Sequence, residues 1–428
     1  MAQQQIAAST FDINLQVKTV ALALLAVLGM IGPAAQAQTL SVLHSFTYGS
    51  DGAVPVDGLT MDALGNLYGT ASEGGDYGVG TVFKLAYRNS GWVFASLYSF
   101  KGGIDGAQPV APVVIGPNNS LYGTTYLGGL QQCDGARYAC GTVFNLRPPA
   151  HATGSVMGGW GKTPVYVFPG GTDGAQPFSG LSFDSSGNMY GTTYSGGTAG
   201  VGTVYQITPF GSGWVESVIY SFDNGGDSNA CLPYAGVVID AAGNLYGTAS
   251  ACGMNGYGSV YMLTPSAGGW TETPLYEFTG GADGKIPHGG LLLDAAGNLY
   301  GTTTSGGAGL GGTVFELTQS GGSWIFQTIY SINGCFLCGP TRALTMDQAG
   351  NLYGTTFQDG AYGYGNVFEL TPSDGGWNYT SIHDFDGPFS PGGGNPYTTV
   401  TIDSSGNLYG TTSEWGHDGY GVVWEITP

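Results

Sequence analysis

Short segments in which apolar and polar residues alternate run along the chain from Thr39 to its end. They recur in seven units of about 55 residues, each containing four strand-like segments, A to D. Typical examples of the four segments are GLTMD, NLYGTT, GTVFxLTP and a segment ending in LYSF. The central tyrosines of the seven units are Tyr68, Tyr122, Tyr190, Tyr246, Tyr300, Tyr353 and Tyr409. No segment beyond residues 20–32 has helical periodicity over ten positions, so the pattern predicts an all-β fold.

The arrangement of the termini distinguishes between the two architectures that such a repeat allows, a β-propeller and a stacked solenoid. The last unit ends at its segment C, GVVWEIT, whereas residues 39–46, TLSVLHSF, match segment D of the other units. A ring explains this split unit, because the N-terminal strand closes the circle and leaves no open sheet edge. We therefore predict one domain, residues 38–428, folded as a seven-bladed β-propeller of four-stranded blades closed by the N-terminal strand. The predicted blades are 56–100, 109–168, 177–222, 233–278, 287–332, 340–385 and 396–428 plus 39–46.

The repeated GNLYGTT, GGxxGxGTVFxLTP and LYSF segments resemble the tandem GloVer repeats of exported bacterial proteins called choice-of-anchor proteins. The resemblance covers residues 39–428 and implies export, but it assigns no activity to particular residues. Members of that family commonly carry a C-terminal surface anchor. No such anchor follows the last repeat of this sequence, so we do not expect attachment through one.

The N-terminal region and the charge both bear on location and partners. Residues 20–32 form an apolar run of 13, preceded by Lys18 and followed by Ala35 and Ala37, which predicts a secretory signal over residues 1–37. We therefore expect a secreted, soluble monomer without membrane insertion, extracellular or periplasmic. A net charge of −20 would repel a phosphate backbone, so nucleic acid is not an expected partner.

The six cysteines lie in loops that a propeller places on one face, as three pairs that are close in sequence. In an exported protein this predicts the disulfides Cys133–Cys140, Cys231–Cys252 and Cys335–Cys338. The alternative for the last pair is a CxxC redox or metal site. This CxxC motif lacks the second half that a metal site requires, and it lacks a helix that would lower the pKa of the thiol.

Residue types that recur at one position in most units are expected to be structural. The loop before segment A repeats as GGxDGAxP and contains one aspartate, which is Asp51, Asp105, Asp173 or Asp283. Such an aspartate has two possible roles, as a calcium ligand or as the residue that closes an Asx turn. One carboxylate among glycines falls short of the six to eight oxygens that calcium prefers, so we expect the turn. The five histidines show neither zinc-ligand spacing nor a nucleophile signature, so we predict no metal, cofactor or hydrolase triad.

One place departs from the repeat, at the predicted junction of the last and first blades. Only these two units carry a glutamate at the start of the B to C loop, Glu73 and Glu414, and Trp415 is the one tryptophan that no repeat position explains. Asp76, His417 and Asp418 lie in the same loops. An aromatic face beside carboxylates suits a sugar, which predicts a glycan site at these six residues. The alternative is that Trp415 fills a packing gap while the acids are solvated.

Three functional classes fit these observations: a binding scaffold for extracellular glycan or a surface protein, a propeller enzyme such as a glycosidase or lyase, and a purely structural exoprotein. A catalytic site is asymmetric, so the close similarity of the units favours binding or structure over catalysis.

Overall fold

The computed structural model describes residues 38–89, 91–129, 140–149, 159–223, 230–334 and 336–427. In this part of the chain the strands form seven four-stranded antiparallel sheets, the blades of a β-propeller, so the predicted fold class is confirmed. Blade 1 is the sheet that contains Tyr68, and blade 7 contains Tyr409.

Strands A and B of each blade are short. Strand A covers two residues: Thr60–Met61, Val114–Ile115, Ser182–Phe183, Val238–Ile239, Leu292–Leu293, Thr345–Met346 and Thr401–Ile402. Strand B covers five: Leu67–Ala71, Leu121–Thr125, Met189–Thr193, Leu245–Ala249, Leu299–Thr303, Leu352–Thr356 and Leu408–Thr412. Strand A is thus shorter than the five-residue segment expected from the sequence, whereas strand B is almost wholly buried because it lies between two paired strands.

Strands C and D are longer and pair through tight hairpins. The C strands are Thr81–Arg88, Thr142–Arg147, Thr203–Phe210, Ser259–Ser266, Leu310–Ser320, Asn366–Ser373 and Val422–Thr427. The D strands are Gly91–Ser99, Gly161–Val167, Gly213–Ser221, Gly269–Glu277, Ser323–Asn333, Gly376–Asp384 and, in blade 7, Thr39–Ser45. Short additions are a two-stranded ladder, Ala230–Cys231 with Ala251–Cys252, and the 3-10 turns Gly103–Asp105, Pro117–Asn119, Gly171–Asp173 and Gly387–Phe389. No helix in the described ranges is long and apolar enough to span a bilayer.

The N-terminal strand closes the ring, as the split unit predicts. Thr39–Ser45 is the outermost strand of blade 7 and pairs with Val422–Thr427. Beyond this strand the Phe46 amide donates to the Gly421 carbonyl oxygen at 3.0 Å. The Phe46 side chain is fully buried in the core between blades 7 and 1. Sequence and structure therefore agree on where the circle is joined.

Hydrophobic cores lie between neighbouring blades. Each of the seven core clusters combines residues of two adjacent blades, and the cluster that joins blade 7 to blade 1 contains Tyr409, Val423, Leu59 and Phe83. A blade consequently buries its apolar faces only when both of its neighbours are present.

A ring of hydrogen bonds joins the blades near the axis. The first threonine of each GT segment in strand B donates its hydroxyl to a backbone carbonyl of the following blade, at 2.8 to 3.3 Å. The seven bonds run from Thr70 to Ala111, Thr124 to Ser179, Thr192 to Ala235, Thr248 to Gly289, Thr302 to Arg342, Thr355 to Thr398 and Thr411 to Asp57. The last bond crosses from blade 7 to blade 1 and completes the circle.

Candidate functional site at the axial mouth

The loops before strand A and after strand B share one face of the ring. Antiparallel bridges join the two loops in several blades, as between Ala107 and Leu127 or Ala175 and Ser195. In every blade the loop before strand A contains a proline, and the second residue after it supplies the carbonyl of the threonine ring. The residues just after the seven prolines are therefore held close to the axis.

The third position after each proline brings neighbouring blades into close approach. A Cβ atom on Gly58 would lie 2.8 Å from the Thr399 carbonyl oxygen of blade 7, closer than real Cβ atoms come to backbone. The seven residues at this position are small or compact: Gly58, Pro112, Gly180, Gly236, Gly290, Ala343 and Thr399. We call this narrow level, where neighbouring blades approach closely, the waist. The first two positions after each proline lie above it.

Above the waist the sevenfold pattern breaks down. The first position after the proline is occupied by Val56, Val110, Phe178, Tyr234, His288, Thr341 and Tyr397, and the second by Asp57, Ala111, Ser179, Ala235, Gly289, Arg342 and Thr398. The residue after strand B varies as well, with Tyr126, Tyr194 and Phe357 in three blades and Ser or Thr in the others. We call the larger residues of this set the axial mouth: Asp57, Tyr126, Phe178, Tyr194, Tyr234, His288, Arg342, Phe357 and Tyr397.

Arg342 of blade 6 lies near the axis. Its guanidinium is 4.1 Å from the ring centroid of Tyr397 and 5.6 Å from that of Phe178, in blades 7 and 3. One amino group donates to the Val56 carbonyl oxygen of blade 1 at 2.8 Å. A side chain that contacts three other blades, one of them across the ring, must lie close to the centre of the mouth.

Asp57 supplies the counter-charge. Its Oδ2 atom is 3.5 Å from Nε of Arg342, and both side chains are only 8% exposed. Burial raises the pKa of Asp57, and the adjacent guanidinium opposes that rise. The Gly58 amide also donates to Asp57 Oδ1 at 2.7 Å. The mouth therefore contains an ion pair whose two members belong to blades 1 and 6.

Aromatic rings form an arc beside this pair. The ring centroid of Phe178 is 5.5 Å from Tyr126 and 5.1 Å from Tyr234, and Tyr234 is 4.8 Å from Tyr194 and 4.2 Å from His288. All five rings are partly exposed, in contrast to the buried core rings of the blades. The arc therefore places apolar ring surface beside the charged pair of Asp57 and Arg342.

Burial and the Arg342 charge lower the pKa of His288 to about 4, so the imidazole is neutral at pH 7. The unfolded chain binds that proton below pH 6.5 and the folded chain does not, so stability falls as the pH drops from 6.5 to 4. We expect the free energy of unfolding to lose about 3 kcal/mol through this group. His288→Gln should remove this part of the pH dependence, whereas the exposed His417→Gln should not. Urea unfolding at pH 7 and pH 4.5 measures the difference. Identical pH dependence in wild type and His288→Gln would contradict the assignment.

The six residues predicted from the sequence lie at the rim rather than at the axis. Glu73 and Glu414 occupy equivalent bridges in blades 1 and 7, Ala53 with Glu73 and Gly394 with Glu414. His417 Nδ1 and Asp418 Oδ1 contact each other at 3.1 Å, with the histidine largely exposed. The Asp76 side chain is exposed.

Trp415 contacts residues on the blade 6 side, whereas Glu73 belongs to blade 1. The ring centroid of Trp415 is 4.9 Å from that of Tyr364, and the Trp415 ring lies over Gly394. Trp415 also adopts a φ of 59°, at a position where blades 1 and 5 have glycine. These contacts favour the packing alternative for Trp415, and the glycan site at the rim stays a prediction.

The loop aspartates and one disulfide agree with the structural interpretation. Asp105 accepts from the Lys101 amide and the Tyr98 hydroxyl, and Asp283 accepts in the same way from Thr279 and Tyr276. Each aspartate thus closes its own loop. The bond Cys231–Cys252 is formed, with a Cα separation of 5.5 Å.

The other two predicted disulfides are described only at one end. Cys140 and Cys338 are disulfide-bonded. Their predicted partners Cys133 and Cys335 lie outside the described residues, so the pairings Cys133–Cys140 and Cys335–Cys338 stay predictions.

Sequence comparison identifies the repeat. The family model of the Gloeobacter/Verrucomicrobia repeat matches residues 30–231, 132–345 and 233–428, which overlap and together span almost the whole chain. No curated protein matches this sequence.

Solved structures with a similar fold share little sequence with this chain. The gluconolactonase XC5397 from Xanthomonas campestris is 14% identical over 72% of this chain and 82% of its own, with a TM-score of 0.42. A protein provisionally assigned as a 6-phosphogluconolactonase from Bacteroides uniformis is 14% identical over 80% and 86%, with a TM-score of 0.48. Likenesses at this level carry no argument about activity.

Proposed function

Because the chain belongs to the Gloeobacter/Verrucomicrobia repeat family, with one unit repeated around a closed ring, we propose that its function resides where the copies differ most. In this proposal the protein is a secreted binding scaffold that holds an extracellular glycan in the axial mouth. The observation that carries it is the contact of Arg342 with Phe178 across the ring, beside an arc of partly exposed aromatic rings.

The chemistry of the mouth suits a saccharide. Aromatic rings stack on the C–H face of a sugar, while its hydroxyl groups exchange hydrogen bonds with tyrosine hydroxyls, a guanidinium or a carboxylate. Phe178, Tyr234 and Tyr397 supply the rings, and Arg342 with Asp57 supplies the polar centre. The disulfide Cys231–Cys252 supports export, since such bonds persist in oxidising compartments.

Binding is favoured over catalysis by the protonation behaviour of the mouth. General acid-base groups work best when their pKa lies near the operating pH. The pKa of His288 is lowered to about 4, and burial with neighbouring tyrosines raises the pKa of Tyr234 above its usual value. The mouth also contains a single carboxylate, Asp57, whereas a glycosidase requires a pair.

The proposal predicts that truncating the axial rings weakens glycan binding. We expect Tyr234→Ala and Tyr397→Ala each to weaken binding of the best polysaccharide in a panel at least about tenfold, as for buried aromatic anchors in other interfaces. Tyr87→Ala is the matched control, because Tyr87 is exposed in the C to D hairpin on the opposite face. Affinity electrophoresis or calorimetry gives the dissociation constants, and thermal melting verifies folding.

The rim site provides a competing explanation within the same experiment. Trp415→Ala and the double variant Glu73→Gln plus Glu414→Gln should bind as wild type does if the axial mouth holds the glycan. Loss of binding only in these rim variants would refute the axial site, and release of shortened or unsaturated sugars by the wild type would refute a purely binding role.

A further inference from the structure

A cavity of about 300 Å³ lies at the junction of blades 5 and 6, away from the axis. We call it the interblade pocket, and the residues that define it are Tyr330 of blade 5 and Asp359, Asn366, Tyr379, Ser381 and Asp384 of blade 6. The two tyrosine rings are parallel, with centroids 4.5 Å apart.

The pocket occurs where the interblade pattern is altered. At several other junctions the loop aspartate bonds to the aromatic residue of the preceding strand D, as Asp105 does with Tyr98 and Asp283 with Tyr276. Tyr330 is the equivalent aromatic residue, but the loop that follows it supplies no aspartate. Tyr330 therefore borders the cavity without a loop carboxylate of this kind beside it.

Four residues of blade 6 that line this cavity have no identical counterpart in the other six blades. Asp359 stands where most blades have the first glycine of the B to C loop, and Asn366 stands where most have threonine. Tyr379 and Asp384 occupy strand D positions that vary among the blades, with phenylalanine at the first position in blades 1 and 5 and glutamate at the second in blade 4. Residues that each blade needs for folding recur in most units, so the replacement of two shared residues by Asp359 and Asn366 at one cavity indicates a local role.

Hydrogen bonds hold the pocket in shape. The Asn366 side chain, which is 1% exposed, donates to the Tyr379 hydroxyl at 2.7 Å and to Ser381 Oγ at 3.0 Å. Asp384 Oδ1 accepts from the Ala361 amide and from Ser381 Oγ, both at 3.1 Å. The walls are thus preorganised in the unbound protein.

The pocket is electronegative. Burial and the charge of Asp384 raise the pKa of Asp359, and the Asp359 charge also contributes to the raised pKa values of Tyr330 and Tyr379, in both of which burial is the largest cause. None of the described residues that line the cavity is basic. A cation entering here would neutralise two carboxylates that have no positive partner in the lining.

We propose that the interblade pocket binds a primary ammonium group carried by a small organic molecule, such as an amino sugar or a lysine side chain. The two carboxylates accept from the ammonium group, and the tyrosine side chains contact its carbon skeleton. Two carboxylates supply too few oxygens for calcium, which takes six to eight. The site does not depend on the axial mouth.

Calorimetry on the whole secreted protein tests this proposal with glucosamine, lysine amide, N-acetylglucosamine and calcium chloride as probes. We expect saturable binding of at least one of the two amines, weakened by salt, and no binding of the neutral N-acetylglucosamine. The amine that binds more tightly identifies which source of the ammonium group the pocket prefers. Equal binding of glucosamine and N-acetylglucosamine, binding of neither amine, or binding of calcium alone would overturn the proposal.

Variants locate the binding. Asp359→Asn combined with Asp384→Asn should weaken amine binding at least tenfold, and Asp359→Asn alone should weaken it without disturbing the bonds of Asp384. Glu277→Gln is the matched control, because Glu277 occupies the position of Asp384 in blade 4 and accepts from the Met254 amide in the same way. Unchanged amine binding in Asp359→Asn, with an unchanged melting temperature, would refute the site. Tyr234→Ala should bind the amine normally, which separates this site from the glycan proposal.

Discussion

A protein that lacks residues 38–46 should fail to fold into a stable monomer. The deletion removes strand Thr39–Ser45 from blade 7 and Phe46 from the core between blades 7 and 1, and it exposes the edge of Val422–Thr427. Losing a fully buried phenylalanine alone costs about 3 to 5 kcal/mol, and a domain has about 5 to 15 kcal/mol of stability in total. We expect aggregation through the open edge, seen by size-exclusion chromatography and by loss of a cooperative melt.

A circular permutant provides the matched control for this deletion. Residues 38–46 are moved behind Pro428 through a two-residue glycine turn, so that the chain starts at Thr47 and strand D follows strand C as in the other blades. The permutant should recover a monomeric protein with nearly the wild-type melting temperature. A deletion protein that melts as the wild type does, or a permutant that stays aggregated, would contradict closure by this strand.

Removing one member of the axial ion pair should be the most destabilising single substitution in the mouth. Arg342→Met leaves the buried Asp57 carboxylate without its counter-charge, and breaking a buried pair in this way costs about 3 to 5 kcal/mol. Arg342→Met combined with Asp57→Asn should recover most of the loss, because no unpaired charge then remains in the mouth. Urea unfolding of the two single variants and the double variant gives the coupling energy.

Arg88→Met serves as the control for this cycle. Arg88 is exposed at the end of strand C in blade 1, so its replacement should change the free energy of unfolding by less than about 0.5 kcal/mol. Additive effects of Arg342→Met and Asp57→Asn would show that the two side chains do not interact, and would remove the charged centre from the proposed site.

The fold could be predicted from the sequence because the evidence for it is local and repeated. Seven copies of the Leu-Tyr-Gly segment define the blades, and the unpaired TLSVLHSF segment shows where the ring closes. Both features survive in the structure, where Thr39–Ser45 completes the sheet of blade 7. Strand A is shorter than its pattern suggests because the chain turns toward the axis, where residues such as Gly58 contact a neighbouring blade.

The axial mouth could not be recognised in the same way, although its signal is present in the sequence. The residues at the two positions after the seven prolines vary in size and charge, from Val56 to Asp57 and Arg342. Their importance depends on closure, because Arg342 and Phe178 are 164 positions apart and meet only across the ring. A comparison of the copies at single positions indicates Trp415 instead, whose contact with Tyr364 is likewise visible only in the folded chain.

The measurement that tests the central claim most directly is a crystal structure of the protein with the saccharide that binds best in the panel. The account predicts a sugar ring in van der Waals contact with Tyr234 or Tyr397, with a hydroxyl or carboxylate of the ligand hydrogen-bonded beside Arg342. Electron density for the sugar at Trp415, Glu73 and Glu414, with the axial mouth unchanged from the unbound protein, would contradict it.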